Sequence, residues 1–220
     1  MWAIGKGIFG LVIGFLWIET WKNTPKKWLC DYGEEERELL VNKENLKGLN
    51  LLAVLILFSF SIFLPCTDLN SCFSFFLKMC FVWILLQIAV GDIYYQIIAD
   101  QWIFAVALLA VFEQLLNGRV QNLLSLFLTA FFLFLFLWIC ASLFALYFQN
   151  MVFGFGDIKL FFSLCLYFGL GDVFWVMAWS LIFCGIGCAL LLLFKVYKKD
   201  STCAVAPYIA AACYFLLLNP

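Results

Sequence analysis

Asp92 in "VGDIYYQIIADQW" and Asp157 in "NMVFGFGDIKLFF" each follow a glycine at the edge of a long apolar run. An ionisable group beside hydrocarbon is expensive to keep, so an acid retained at such a boundary is a candidate for chemistry. Two carboxylates brought together where water is scarce cannot both ionise, and they come to share one proton. The charged member can then deprotonate a water for attack on a peptide carbonyl. The neutral member can protonate the carbonyl oxygen or the leaving amine. Such a pair needs neither a metal nor a nucleophilic side chain, which suits a chain with no histidine. A plainer alternative stands beside it: loops use glycine and helix starts favour aspartate, so both acids could simply cap helices.

What must position the two acids is a membrane-embedded bundle. Hydrophobic residues make up 66% of the 220-residue chain and charged residues only 12%, against roughly a quarter charged in soluble domains. A soluble globule of this size cannot hide so much apolar surface, which leaves an all-α, polytopic membrane bundle lying in the lipid bilayer. A net charge of -1 gives nucleic acid nothing to bind. Apolar runs divide the chain into about eight transmembrane helices, near residues 1–18, 49–65, 72–91, 101–117, 122–148, 158–171, 172–194 and 204–218. They form one domain over 1–220. The fifth run is long enough to tilt or protrude, whereas the sixth and eighth are short and thin the membrane or begin below its surface. The first is followed by "WIETWKNTPKKW", with no A-x-A-like cleavage site, and reads as an anchored start.

Basic residues orient the bundle. Ten of the thirteen fall on one side if the N-terminus is outside: Lys22, Lys26, Lys27, Arg37, Lys43, Lys47, Lys159, Lys195, Lys198 and Lys199. Only Lys6, Lys78 and Arg119 belong to the other side or its spans. The positive-inside rule then puts residues 20–48, 92–100, 149–158 and 195–203 in the cytoplasm. Two spans separate Asp92 from Asp157, so parity returns both to that face. The 20–48 segment is expected to be a loop with no core of its own.

Most of the ten cysteines lie within apolar runs (Cys80, Cys140, Cys165, Cys184, Cys188, Cys213) and are expected to act as small hydrophobes. Without histidine or any C-x-x-C, no zinc site and no cofactor is expected. Cys66 and Cys72 flank "CTDLNSC" and could close a disulfide in an oxidising compartment. Other acids have cheaper explanations. Glu34, Glu35, Glu36 and Glu38 read as a solvated loop face, Asp68 and Asp172 as span starts, and Glu19 and Glu113 have no obvious partner.

Set together, these motifs resemble a known family. "GFGDIKL" is similar to the G-x-G-D-x-K-[LF] motif of the type IV prepilin peptidases, a class of GxGD membrane aspartic proteases. "DIYYQIIAD" resembles that family's first motif, an aspartate followed eight residues later by another. "GLVIGFLWIETWKNTP" and "STCAVAPYIAAA" are weaker likenesses to its opening and closing segments, so the resemblance spans essentially the whole chain. It implies that Asp92 and Asp157 are the catalytic pair, that Gly154 and Gly156 permit a tight turn near the substrate, and that Lys159 is the motif lysine, whose plainer role is to snorkel to the lipid head groups. Asp100 corresponds to the second acid of the first motif, with capping as its expected role.

The resemblance also implies the activity: removal of leader peptides from prepilin-like membrane proteins at the cytoplasmic face of the cytoplasmic membrane. Departures accompany it. Ala99 stands where the family's motif has proline, and the 20–48 loop holds only Cys30 where bifunctional members carry paired C-x-x-C motifs. A methyltransferase lobe is therefore not expected. Two alternatives remain open at this point: a related GxGD protease of preflagellin or signal-peptide type, and a non-enzymatic membrane subunit or transporter using the acids as caps or ion ligands.

Overall fold

Lipid offers the backbone no hydrogen-bond partners, and helices satisfy their own. The computed structural model describes residues 2–29, 47–63, 69–116, 122–148, 154–194 and 203–218, and among these it contains helices and no strand. Eight α-helices fall on the eight apolar runs: α1 (Trp2–Asn23), α2 (Lys47–Phe63), α3 (Leu69–Tyr95), α4 (Asp100–Leu116), α5 (Leu123–Phe148), α6 (Phe155–Phe168), α7 (Leu170–Leu193) and α8 (Ala206–Leu218). Three contain stretches long and apolar enough to cross a membrane, Cys72–Tyr95, Leu123–Tyr147 and Leu170–Leu193. The proposed disulfide pair cannot be followed here, because Cys66 lies outside the described residues.

The core lies around α3, which is covered on most sides, whereas α5 and α7 turn most of their side chains outward. Leu124, Phe132, Phe136, Trp175 and Leu181 are among the large apolar groups left exposed on those two helices, as a lipid-facing surface requires. Helix α6 packs between α4 and α5, and α8 between α3 and α7. At the other edge α1 crosses α2 at close range. A Cβ on Gly14 would stand 3.1 Å from the Val54 backbone and side chain, and one on Gly10 would strike the Ser61 side chain. Small residues four apart therefore let these two backbones approach without a hydrophobic drive between them.

Two breaks place the site. Gly169 adopts φ 85°, a conformation that side chains disfavour, and ends α6 just before α7 begins. At the end of α3, Gln96 sits at φ 53° with its N–H donating to the Asp92 carbonyl at 2.9 Å. This is a left-handed helix stop. It turns the chain through 97–99 into α4, where the Ala99 carbonyl accepts the Trp102 and Ile103 amides.

The segment after α1 departs from the expectation of a loop without a core. A 3-10 turn at Lys26–Leu29 brings Trp28 edge-on to Trp102, with ring centres 5.7 Å apart, and buries Leu29 beside Gly91. An aromatic and a leucine within the polar segment supply enough apolar surface to hold it against the bundle. Residues 30–46 lie outside the described residues.

Candidate active site

One end of the bundle gathers the C-terminal ends of α1, α3 and α7 with the N-terminal ends of α4, α6 and α8. Five contacts establish this: Thr20 with Gln87, Asp100 with Lys159, Gly156 with Ile98, Asp92 with Ala206, and Cys188 with Cys203. Parity had placed Asp92 and Asp157 on a common face, and both acids do sit at this end. Both are buried, at 7% and 8% exposure, and they are close enough for the Asp92 charge to act on Asp157.

Asp157 is not the cap of its helix. Gly154 holds the N-cap position, and Asp157 follows three residues later inside the first turn. From there its carboxylate reaches back to the Gly154 amide. This is the acid's half of a capping box, with glycine in place of the usual serine or threonine. Glycine leaves the carboxylate room, since a Cβ at 154 would stand 3.1 Å from the Asp157 Oδ2. Gly156 acts on the other side of the turn. A Cβ there would lie 3.1 Å from the Ile98 Cβ, so its absence lets α6 close onto the turn that follows Asp92. The two motif glycines thus bring one acid towards the other.

Asp157 lies just ahead of the apolar run 158–171. Burial, and then the neighbouring charge of Asp92, push its carboxyl up to about 7, opposed by the Gly154 hydrogen bond. Near neutral pH it therefore exchanges its proton readily, as a general acid or base must.

Asp92 stands in the last turn of α3, where the helix dipole disfavours a negative charge. The start of α8 compensates: the Ala206 N–H donates to Asp92 Oδ2 at 2.8 Å. So Asp92 caps no start of its own helix but receives the N-terminal end of another. The closing segment "STCAVAPYIAAA" had been read only as a likeness. Its geometric part is a backbone amide, which no side chain announces.

Asp100 and Lys159 form an ion pair, with Lys159 Nζ 2.8 and 2.9 Å from the two carboxylate oxygens and 4.9 Å from the Phe155 ring centre. The pair joins the first turns of α4 and α6 two residues from Asp157. Capping by Asp100 and snorkelling by Lys159 had been the plain expectations, and mutual pairing was not foreseen. Exposures of 37% and 30% keep its energetic weight small.

Three further groups were not singled out by the sequence. Gln87 is fully buried in α3, its amide donating to Thr20 Oγ1 at 3.0 Å and to the Trp17 carbonyl at 3.4 Å. It ties α1 to α3 little more than a turn before Asp92, and its signal was a lone amide in an apolar run. Glu113, expected to have no partner, lies close to the buried Tyr167 hydroxyl. Cys184, Cys188 and Cys203 converge, although the first two had been read as isolated small hydrophobes. Their signal was the four-residue spacing on one helix face together with a cysteine just before α8.

A model of the type IV leader peptidase family matches residues 79–190, half of the chain, and that stretch includes both acids and the motif glycines. No curated protein and no solved structure matches the chain.

Proposed function

The chain belongs to the type IV leader peptidase family, and on that premise we propose that it is an aspartic endopeptidase acting through Asp92 and Asp157. Family membership makes it a protease and, with its apolar helices, a membrane protein. The observation that carries the finer reading is the pair of buried carboxylates, one acting electrostatically on the other, at one end of the bundle. In the proposed reaction the pair holds one proton. Asp92, steadied as an anion by the Ala206 amide, takes the proton of an attacking water. Asp157, held up near 7, donates its one proton to the carbonyl oxygen; as the C–N bond breaks, Asp92 passes the water's proton to the leaving amine and a hydroxyl of the tetrahedral intermediate returns a proton to Asp157. Gly154 and Phe155 at the start of this turn are exposed, which leaves the backbone there open to an extended substrate strand.

The substrate we propose is a prepilin-like membrane protein, cut between a short leader and an apolar helix at the cytoplasmic face of the cytoplasmic membrane. All eight helices cross or enter the bilayer with the N-terminus outside, as the ten-to-three division of basic residues supports. At about 1.5 Å per residue, the 14 residues of α6 and 13 of α8 reach about 21 and 20 Å, short of the ~30 Å hydrocarbon core. The bilayer thins to meet their starts, which carry Asp157 and the Ala206 amide and so lie at its cytoplasmic surface. The scissile bond of a membrane-anchored precursor is brought to that surface by its own helix. Cleavage proceeds without a metal and without methyl transfer to the new N-terminus.

The test is to incubate the purified chain, in lipid nanodiscs with a chelator, with prepilin-like, preflagellin-like and signal-peptide-bearing precursors. Mass spectrometry then reads the products. One unmethylated cut at the leader junction of the prepilin-like precursor is expected. Cleavage of another class alone would reassign the substrate, and no cleavage of any would overturn the proposed reaction.

A further inference from the structure

Near Asp157, between α7 and the start of α8, lie three sulfur atoms that peptide hydrolysis does not use. Cys184 and Cys188 are four residues apart on α7, so they share a face, and their sulfurs are 3.9 Å apart. Cys203 precedes α8, and its sulfur lies 3.1 Å from that of Cys188. All three sulfurs lie within 4.8 Å of one another, the one such group among the described residues. Sulfurs bound at about 2.3 Å around a common ion sit roughly 4 Å apart, which is the scale of this triangle. Room for the arrangement is made by Gly187, where a Cβ would strike the Tyr208 ring and hydroxyl. The Tyr208 hydroxyl stands beside Cys203.

We propose that Cys184, Cys188 and Cys203 bind a single thiophilic d10 metal ion, Cu(I) or Zn(II), which fastens the start of α8 to the end of α7. A ligand set of three thiols with neither carboxylate nor imidazole selects soft ions and rejects magnesium and calcium. Three sulfurs alone satisfy Cu(I), while Zn(II) completes four-coordination with water. A disulfide between Cys188 and Cys203 is the other chemistry available to these atoms. At 3.1 Å those two sulfurs are in contact but unbonded. An ion displaces the thiol protons on binding.

The ion takes no part in the hydrolytic step. Its effect is mechanical: Cys203 lies three residues before Ala206, whose amide holds Asp92. Fixing the sulfur fixes the approach of that amide. The binding site stands whether or not Asp92 and Asp157 are the catalytic pair.

The test uses the full chain purified in detergent with a non-thiol reductant and stripped by a chelator. Cu(I) is titrated against a chromogenic copper chelator, and Zn(II) against a zinc dye. One ion per chain is expected, and for copper an ultraviolet sulfur-to-metal charge-transfer band. In peptide mapping, the bound ion should shield Cys184, Cys188 and Cys203 from iodoacetamide and leave Cys140 unchanged. Cys188→Ser should weaken binding by more than about 100-fold, since even outer partners of a metal ligand are worth 10–100-fold. Cys140→Ser should bind as the unsubstituted chain does. If Cys188→Ser fails to fold, shielding of the three cysteines in the unsubstituted chain decides the question. Failure of both ions to bind stoichiometrically, shielding of other cysteines instead, or a Cys188–Cys203 disulfide persisting in reductant would each overturn the proposal.

Discussion

Replacing Asp157 by asparagine separates an acid kept for chemistry from one kept for the fold, because the two roles predict opposite changes in stability. Burial and the Asp92 charge raise the Asp157 carboxyl from an ordinary 3.8 to about 7. A carboxyl with a raised value holds more protons folded than unfolded between those limits. The stability this contributes is full below about pH 4 and is lost as the pH rises through 7. At about 1.36 kcal/mol per pH unit the loss is on the order of 4 kcal/mol. Asparagine carries no charge yet keeps an oxygen for the Gly154 amide. Asp157→Asn should therefore unfold later than the unsubstituted protein at about pH 8, by a few kcal/mol, and with almost no difference near pH 4. Chemical or thermal unfolding of both proteins in the same bicelles across that range makes the comparison, and other titrating groups cancel in the difference. A variant that is less stable at high pH, or a difference independent of pH, would refute the reasoning and mark Asp157 as a structural residue.

Gly156→Ala places a methyl group 3.1 Å from the Ile98 Cβ and pushes the Asp157 turn off the Asp92 turn. It should destabilise by about 1–3 kcal/mol and slow cleavage at least tenfold, as an order-of-magnitude effect of misplaced reacting groups; unfolding and initial-rate assays on one preparation check it. Asp100→Asn and Lys159→Met break a partly exposed ion pair, so each should change stability by less than about 1 kcal/mol and retain most cleavage. Loss of all activity in either would promote the pair to the reaction itself. The cleavage rate should fall as the pH rises above about 7, because the pair then surrenders its shared proton. A rate still climbing well above that pH, in a substrate-saturated assay, would contradict proton sharing.

The helices were legible in the sequence because lipid demands long apolar runs and tolerates few charges within them. The sixth run was expected to end at 171, but α6 stops at Phe168 because Gly169 takes a left-handed backbone that no run of apolar residues announces. The common face of Asp92 and Asp157 was legible from parity alone. What joins them was not. The Ala206 amide lies 114 residues from Asp92 in the chain, and a backbone donor leaves no trace in side-chain chemistry. The Asp100–Lys159 pair spans 59 residues, and each partner had a sufficient local explanation as a cap or a snorkelling cation. Cysteine in an apolar run is ordinarily a small hydrophobe, so three that meet across a helix and a loop look no different from those that do not. Leu29 and Trp28 were hidden by their setting, two apolar side chains in a stretch rich in charge.

The central claim is that Asp92 and Asp157 act as one catalytic unit, and a double-mutant comparison in a purified cleavage assay tests it most directly. A prepilin-like precursor is incubated with the unsubstituted chain, Asp92→Asn, Asp157→Asn and the double variant, all reconstituted in one lipid, and the amount of folded protein is measured for each. Each single substitution should reduce cleavage by about 10³-fold or more, since an amide can neither take nor return the proton. The double variant should be little worse than either single one, because residues acting as a unit are not additive. Cleavage near the unsubstituted rate by a well-folded Asp157→Asn or Asp92→Asn protein would contradict the account.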